Sequence, residues 1–239
     1  MYFCYLDTKI YYKRVKADAK QVVLLHGFGA SSKTMQCLFS FLQKNGYDVT
    51  SVDFAGFGES EEPKQSWSIY DYADSIKELI KLENLTNPII LGHSFGGRVG
   101  IILASMKVPR GLVLIDSAGI KPRRKLKYYL SIYKYKTRKK LGLSVEKYGS
   151  ADYKSLSEQM RETFVKVVNE HLDNLLCTIN CPTLILWGKE DKETPIYMAK
   201  KLNKGIKNSA CIVLDGGHFS FLDSFSETCG IVESFLCST

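Results

Sequence analysis

The sequence predicts an α/β protein, a parallel sheet covered by helices on both faces and carrying one helical insertion. Three observations point there. Short apolar runs alternate with amphipathic stretches from Gln21 onward, most of the runs are too uniformly apolar for surface strands, and the alternation lapses once, over 120–181. A strand that is apolar throughout is buried on both faces, which requires helices above and below it.

Taken in order, MYFCYL and IYYKRVK, separated by Asp7, Thr8 and Lys9, read as an antiparallel hairpin at the sheet edge. QVVLLHG is the first parallel strand and ends in a glycine turn. The next stretch, SSKTMQCLFSFLQKNG, reads as a helix capped near Ser31 or Ser32 and closed by Gly46. DVTSVD is a strand that runs into the loop FAGFGESEEP. In SIYDYADSIKELIKL, Ile69, Tyr72, Ala73, Ile76, Leu79 and Ile80 fall on one helical face. PIILGHS and GLVLIDSAG are strands on either side of a helix over 95–106. TLILWGKED, a helix over 195–203, ACIVLDGGH and a last helix over 222–237 complete the pattern. Between them, 120–181 holds helical periodicity (Leu126, Tyr129, Leu130, Tyr133) and no clear strand. That stretch reads as a helical cap inserted into a core domain made of 1–119 and 182–239.

A chain of 239 residues buries a sizeable core. Its seven scattered cysteines lack the spacing of a zinc site, and metal is not expected. Lys9, Lys13 and Arg14 follow an alternating start instead of preceding an apolar block, so a signal peptide is not expected. No stretch is apolar for long enough to span a bilayer. A reduced, cytoplasmic protein without stable membrane insertion is the expectation. The net charge of +8 is local: residues 121–140 hold ten basic residues and no acid, leaving 23 basic against 25 acidic elsewhere. The segment reads as an amphipathic helix with tyrosines packed inward, or as a basic rim that draws an anionic small-molecule substrate or a membrane surface. No nucleic-acid module accompanies it, and a nucleic-acid partner is not expected.

Chemistry concentrates in IILGHSFGGRVG. Between a strand and a helix, Ser94 must sit on a sharp turn in a strained backbone conformation. Gly92 and Gly96, two residues to either side, let strand and helix approach, and the hydroxyl emerges at the carboxyl edge of the sheet. A serine hydroxyl needs a base, and the base an orienting carboxylate. Among the four histidines, His218 follows the last strand and is the preferred base. His93 adjoins Ser94 and should point away from it, His26 lies in another strand-end turn, and His171 is expected at the cap surface. For the acid, Asp191 in WGKEDKETP is preferred and Asp116 in LIDSAG held in reserve, with Glu190 directed to solvent. The backbone N–H groups of Phe95, opening a helix, and Phe28, between Gly27 and Gly29, suit an oxyanion hole.

These motifs closely resemble the α/β-hydrolase superfamily: HGFG at 26–29, GHSFGG at 92–97, WGKEDKETP at 187–195 and GGH at 216–218 stand in the family's order. The resemblance implies a mostly parallel eight-stranded sheet with the cap after the sixth strand. By position it makes Ser94 the nucleophile, His218 the base and Asp191 the acid, with no cofactor or metal required. Aspartate at 94 would have suggested a haloalkane dehalogenase. The implied reaction is hydrolysis of a small-molecule carboxylic ester, or a related acyl or C–C bond, through an acyl-enzyme on Ser94. Substrate contacts are expected from Phe57, Arg98, Phe219 and the cap residues Tyr129 and Tyr133, with short apolar acyl groups favoured by the phenylalanines. Two alternatives remain at this point. Arg98, with Arg123 or Arg124, resembles the menaquinone-pathway synthase, a lyase acting on a polycarboxylate. A non-catalytic ligand-binding member of the superfamily is the other.

Overall fold

The chain enters as a hairpin, β1 (Tyr2–Tyr5) and β2 (Thr8–Val15), turned by Leu6 and Asp7, both at positive φ (46° and 55°). Two left-handed residues in succession match the twist of the flanking strands. The connection is therefore tighter than the sequence suggested, and Thr8 and Lys9 already belong to β2. The structure, a computed structural model, describes residues 1–123, 137, 153 and 155–239.

Six further strands, β3 (Gln21–Leu25), β4 (Asp48–Val52), β5 (Ile89–His93), β6 (Gly111–Ile115), β7 (Thr183–Gly188) and β8 (Ser209–Leu214), complete an eight-stranded sheet. Its order is β1-β2-β4-β3-β5-β6-β7-β8. The β1–β2 and β2–β4 pairings are antiparallel and the remainder parallel. β4, β5, β6 and β7 are buried at every residue. β8 departs from that reading: as the last strand it leaves Ala210 and Val213 exposed.

Successive side chains of β3 separate the two cores. Val23 and Leu25 join Ile69, Tyr72 and Ile76 of α2 (Ile69–Leu82), Val99 and Ile102 of α3 (Phe95–Ser105), and later Met198 and Leu202. Val22 and Leu24 face the other way, onto Leu38 and Leu42 of α1 (Gln36–Lys44) and onto Val232 and Leu236. The period of two along the strand thus becomes two hydrophobic layers. α2 starts with a full capping box between Ser68 and Asp71. α1 starts later than its serines suggested, because 31–35 form consecutive turns, with Thr34 N–H donating to Ser31 O and Met35 N–H to Ser32 O.

Within 120–181 the described residues include α4 (Glu158–Asn169), which sends Met160 and Val167 into the core, and a 3₁₀ turn over Asp173–Thr178. α5 (Tyr197–Gly205) begins two residues after Pro195. The terminal helix is broken into α6 (Ser220–Asp223) and α7 (Phe225–Ser238). Asp223 accepts from Gly217 N–H and Ser224 Oγ donates to Asp215 O, which ties the junction back to the loop after β8. Among the described residues no helix is long and apolar enough to cross a membrane.

At the β5–α3 junction a Cβ on Gly96 would collide with the carbonyl of Leu25, and one on Gly92 with the backbone of Gly96. Backbone cannot yield as a side-chain tip can. Gly96→Ala should therefore lower the unfolding free energy by about 3 kcal/mol, read from the urea midpoint; an unchanged midpoint would contradict this packing.

Candidate active site

Ser94 joins β5 to α3 at φ 50° and ψ −108°, a positive φ that non-glycine residues rarely adopt. Its amide donates to Ile115 O, while its carbonyl accepts from Arg98 N–H and Ala118 N–H. These three bonds over-determine the turn and hold the hydroxyl at the carboxyl edge of the sheet. Ser94 Oγ lies 2.9 Å from His218 Nε2, and His218 Nδ1 lies 2.9 Å from Asp191 Oδ2. With Nδ1 protonated and donating to the carboxylate, Nε2 is left to accept the Ser94 proton.

The three residues come from three loops, at the carboxyl ends of β5, β7 and β8. Asp191 Oδ1 accepts from the amides of Glu193 and Thr194, and Oδ2 accepts from Thr194 Oγ1 at 2.5 Å. Burial would raise the Asp191 pKa, but the bonds from His218 and Thr194 lower it below the usual aspartate value. Burial alone would lower the His218 pKa; the hydrogen bond and charge of Asp191, with Glu193 and Asp116 nearby, raise it above the ordinary histidine value.

Asp116, the reserve acid, is turned elsewhere. Oδ1 accepts from Gly188 N–H at 2.7 Å, and Oδ2 accepts from Ser220 N–H at 3.0 Å and Ser220 Oγ at 2.6 Å. It pins β7 to the segment that follows His218. Burial pushes its pKa up to about 6 against the opposing pull of these bonds.

The other histidines also find their places. His93 points away from the Ser94 hydroxyl, its Nε2 donating to the His218 carbonyl at 2.7 Å, and burial lowers its pKa to about 4. His26 is neutral for the same reason, at about 4. It accepts from Phe54 N–H through Nε2 and donates to Gly27 O through Nδ1, tying two loops together. His171 is half-buried rather than a surface residue.

The Gly27–Phe28 turn passes beside the serine: a Cβ on Gly27 would stand 3.1 Å from His93 Nδ1 and 3.5 Å from Ser94 Cβ. Among the described residues, neither the Phe28 amide nor the Phe95 amide donates to another protein group.

A cleft of about 360 Å³ opens onto Ser94 and His218. Phe28, Phe95, Ala118, Phe164, Val167 and Val168 form its apolar walls, and Arg98, Glu193 and Thr194 its polar ones. Phe28 stacks edge-on against Phe95, Phe57 and Phe164, with centroids 5.5, 4.7 and 5.2 Å apart. Phe57 and Phe219 lie outside the lining among the described residues: Phe57 is buried behind Phe28, and Phe219 packs on the His93 ring with 40% of its surface exposed. Arg98 borders the cleft, but its Nη1 donates to the Val167 carbonyl at 2.6 Å and to that of Glu170. It serves as a cation on the last carbonyls of α4, and burial pulls its pKa down to about 10. Arg123 lies over the Tyr197 ring, with its amide donating to the Tyr197 hydroxyl. Tyr129, Tyr133 and Arg124 lie outside the described residues.

Sequence reasoning missed Phe164, Val167 and Val168, whose helical spacing looks like ordinary core, and Glu193 and Thr194. For the latter pair a signal existed: an aspartate followed two and three residues later by amides poised to fold back on it is a turn in which those residues share its surroundings. Among the described residues no cluster of three or more histidine, cysteine, aspartate or glutamate side chains could hold a metal ion.

Comparison with known proteins agrees with the fold. The family model for the alpha/beta hydrolase fold matches residues 20–131. The chain is 26% identical to the AB hydrolase superfamily protein YisY of Bacillus subtilis, over 90% of this chain and 91% of that protein. A hydrolase from Pseudomonas aeruginosa superposes with a TM-score of 0.80 at 19% identity, covering 99% of this chain and 97% of that one. The esterase EaEST from Exiguobacterium antarcticum superposes at 0.77 with 22% identity, covering 96% of both chains.

Proposed function

Because this chain belongs to the α/β-hydrolase superfamily, we propose that it is a serine hydrolase that cleaves small-molecule carboxylic esters. The observation that carries the reading is the connected relay from Ser94 Oγ through His218 to Asp191, two steps of 2.9 Å each. His218 Nε2 takes the Ser94 proton as Oγ attacks the carbonyl carbon, and Asp191 stabilises the imidazolium. Collapse of the tetrahedral intermediate breaks the bond to the leaving alcohol, which receives that proton. Water, deprotonated by the same imidazole, then releases the acid and restores Ser94. The amides of Phe28 and Phe95 are the donors for the oxyanion. The apolar walls suit a short hydrocarbon acyl group, and 120–181 acts as the cap over the core formed by 1–119 and 182–239. The lyase alternative asks for an arginine free to bind a carboxylate, and the bonds from Arg98 to α4 count against it.

The test is labelling by a fluorophosphonate probe together with turnover of p-nitrophenyl esters, wild type against Ser94→Ala. Labelling and turnover that both vanish in the variant support the hydrolase. Labelling without turnover would favour the lyase or the ligand-binding alternative.

A pH dependence follows. Only neutral His218 can accept the proton, and its pKa is raised, so kcat/KM should fall as the pH drops through a value above the ordinary histidine figure of about 6.5. An acid limb centred well below 6.5 would count against His218 as the base.

A further inference from the structure

We propose that Glu193 makes the cleft charge-selective, so that the enzyme prefers esters with neutral or cationic leaving groups and turns away those whose leaving group carries a carboxylate. The proposal rests on the serine-hydrolase reading and specifies its substrate class. It is the reverse of the anionic substrate that the basic segment at 121–140 suggests.

Three observations carry it. First, Glu193 Oε2 stands 3.3 Å from His218 Nε2, the nitrogen that also meets Ser94 Oγ at 2.9 Å. A departing alkoxide must take its proton from that nitrogen, so a charged group borne one or two carbons from that oxygen lies close to the Glu193 carboxylate. Second, the position is held by the backbone. Asp191 Oδ1 accepts the amides of both Glu193 and Thr194, and Thr194 Oγ1 is bonded to Asp191 Oδ2, so the turn bearing Glu193 is fixed relative to the imidazole. Third, the carboxylate is not spent elsewhere. Among the described residues its ion pair is with His218, and it borders the cleft while 70% exposed.

Among the described residues, the other charges near the imidazole leave that carboxylate facing the leaving group. Asp191 lies behind the imidazole on Nδ1, Asp116 is held by Gly188 and Ser220, and His93 is buried and neutral. The cation on the cleft wall, Arg98, directs Nη1 at the carbonyls of Val167 and Glu170. The acyl group faces phenylalanine and valine walls, which add no charge preference of their own.

The experiment uses three esters of one acyl group whose leaving alcohols bear a methyl, a trimethylammonium or a carboxylate group at the same distance. In the wild type kcat/KM should favour the cationic over the anionic ester by on the order of tenfold at low salt, with the gap narrowing as salt is added. In Glu193→Gln the ratio should approach one, and in Glu193→Lys it should invert. Equilibrium binding of the corresponding amides gives the same ratio if a variant turns over slowly. A ratio unmoved by Glu193→Gln overturns the proposal alone, provided the wild type cleaves the neutral ester in a Ser94-dependent manner. Absence of that cleavage overturns the hydrolase reading and this proposal with it.

Discussion

Ser94→Gly is expected to unfold at a higher temperature than Ser94→Ala, while both lose ester turnover by on the order of 10⁴-fold or more. The activity loss follows from removal of the one oxygen that His218 Nε2 contacts at 2.9 Å. The stability difference has another source. At φ 50° and ψ −108° a Cβ is crowded by its own backbone, at a cost of about 1–3 kcal/mol. Alanine keeps that cost and glycine escapes it, although glycine gives back up to about 1 kcal/mol through its freer unfolded chain. A net gain of about 1 kcal/mol should raise the midpoint by roughly 2–4 °C in a chain of this size. Scanning calorimetry on the pair checks it. Equal midpoints would mean that the turn is not strained.

Asp191→Asn and Asp116→Asn should fail in opposite ways. An asparagine at 191 would donate to His218 Nδ1, moving the ring proton to Nε2, where it blocks acceptance of the Ser94 proton. Turnover should drop by on the order of 10⁴-fold, with stability changed far less. At 116 the amide NH₂ would face the N–H of Gly188 or the N–H and hydroxyl of Ser220, which now donate to the carboxylate. One satisfied acceptor becomes a clash of donors. The cost should be about 1–3 kcal/mol of unfolding free energy, while turnover falls by much less than for Asp191→Asn. Steady-state kinetics and urea titration on both variants decide the matter. The reverse order of activity losses would transfer the orienting role to Asp116.

Much of the fold was legible because it rests on short-range rules. β5, β6 and β7 read as largely apolar runs because each is covered on both sides, whereas β4 is equally buried yet carries Asp48, Thr50 and Ser51; the face of α2 could be drawn from periodicity alone. The misreadings fall where local rules meet a tertiary tie. The last helix breaks because Asp223 and Ser224 bond back to the loop after β8. β8 is half-exposed because no strand follows it in the sheet.

The candidate site divides along the same line. The bend at Ser94 is written into residues 92–97, since only glycine at 92 and 96 clears the neighbouring backbone. By itself, then, the sequence determined the α/β layering, the sharp strand-to-helix turn and the loops that gather at one sheet edge, because backbone sterics and hydrophobic period act over a few residues. Which carboxylate meets His218, the capture of Arg98 by carbonyls 69 and 72 positions away, and the approach of Glu193 to the imidazole were decided only by the tertiary structure. Those contacts depend on how far and at what angle whole strands and helices pack, and no short stretch of sequence encodes that.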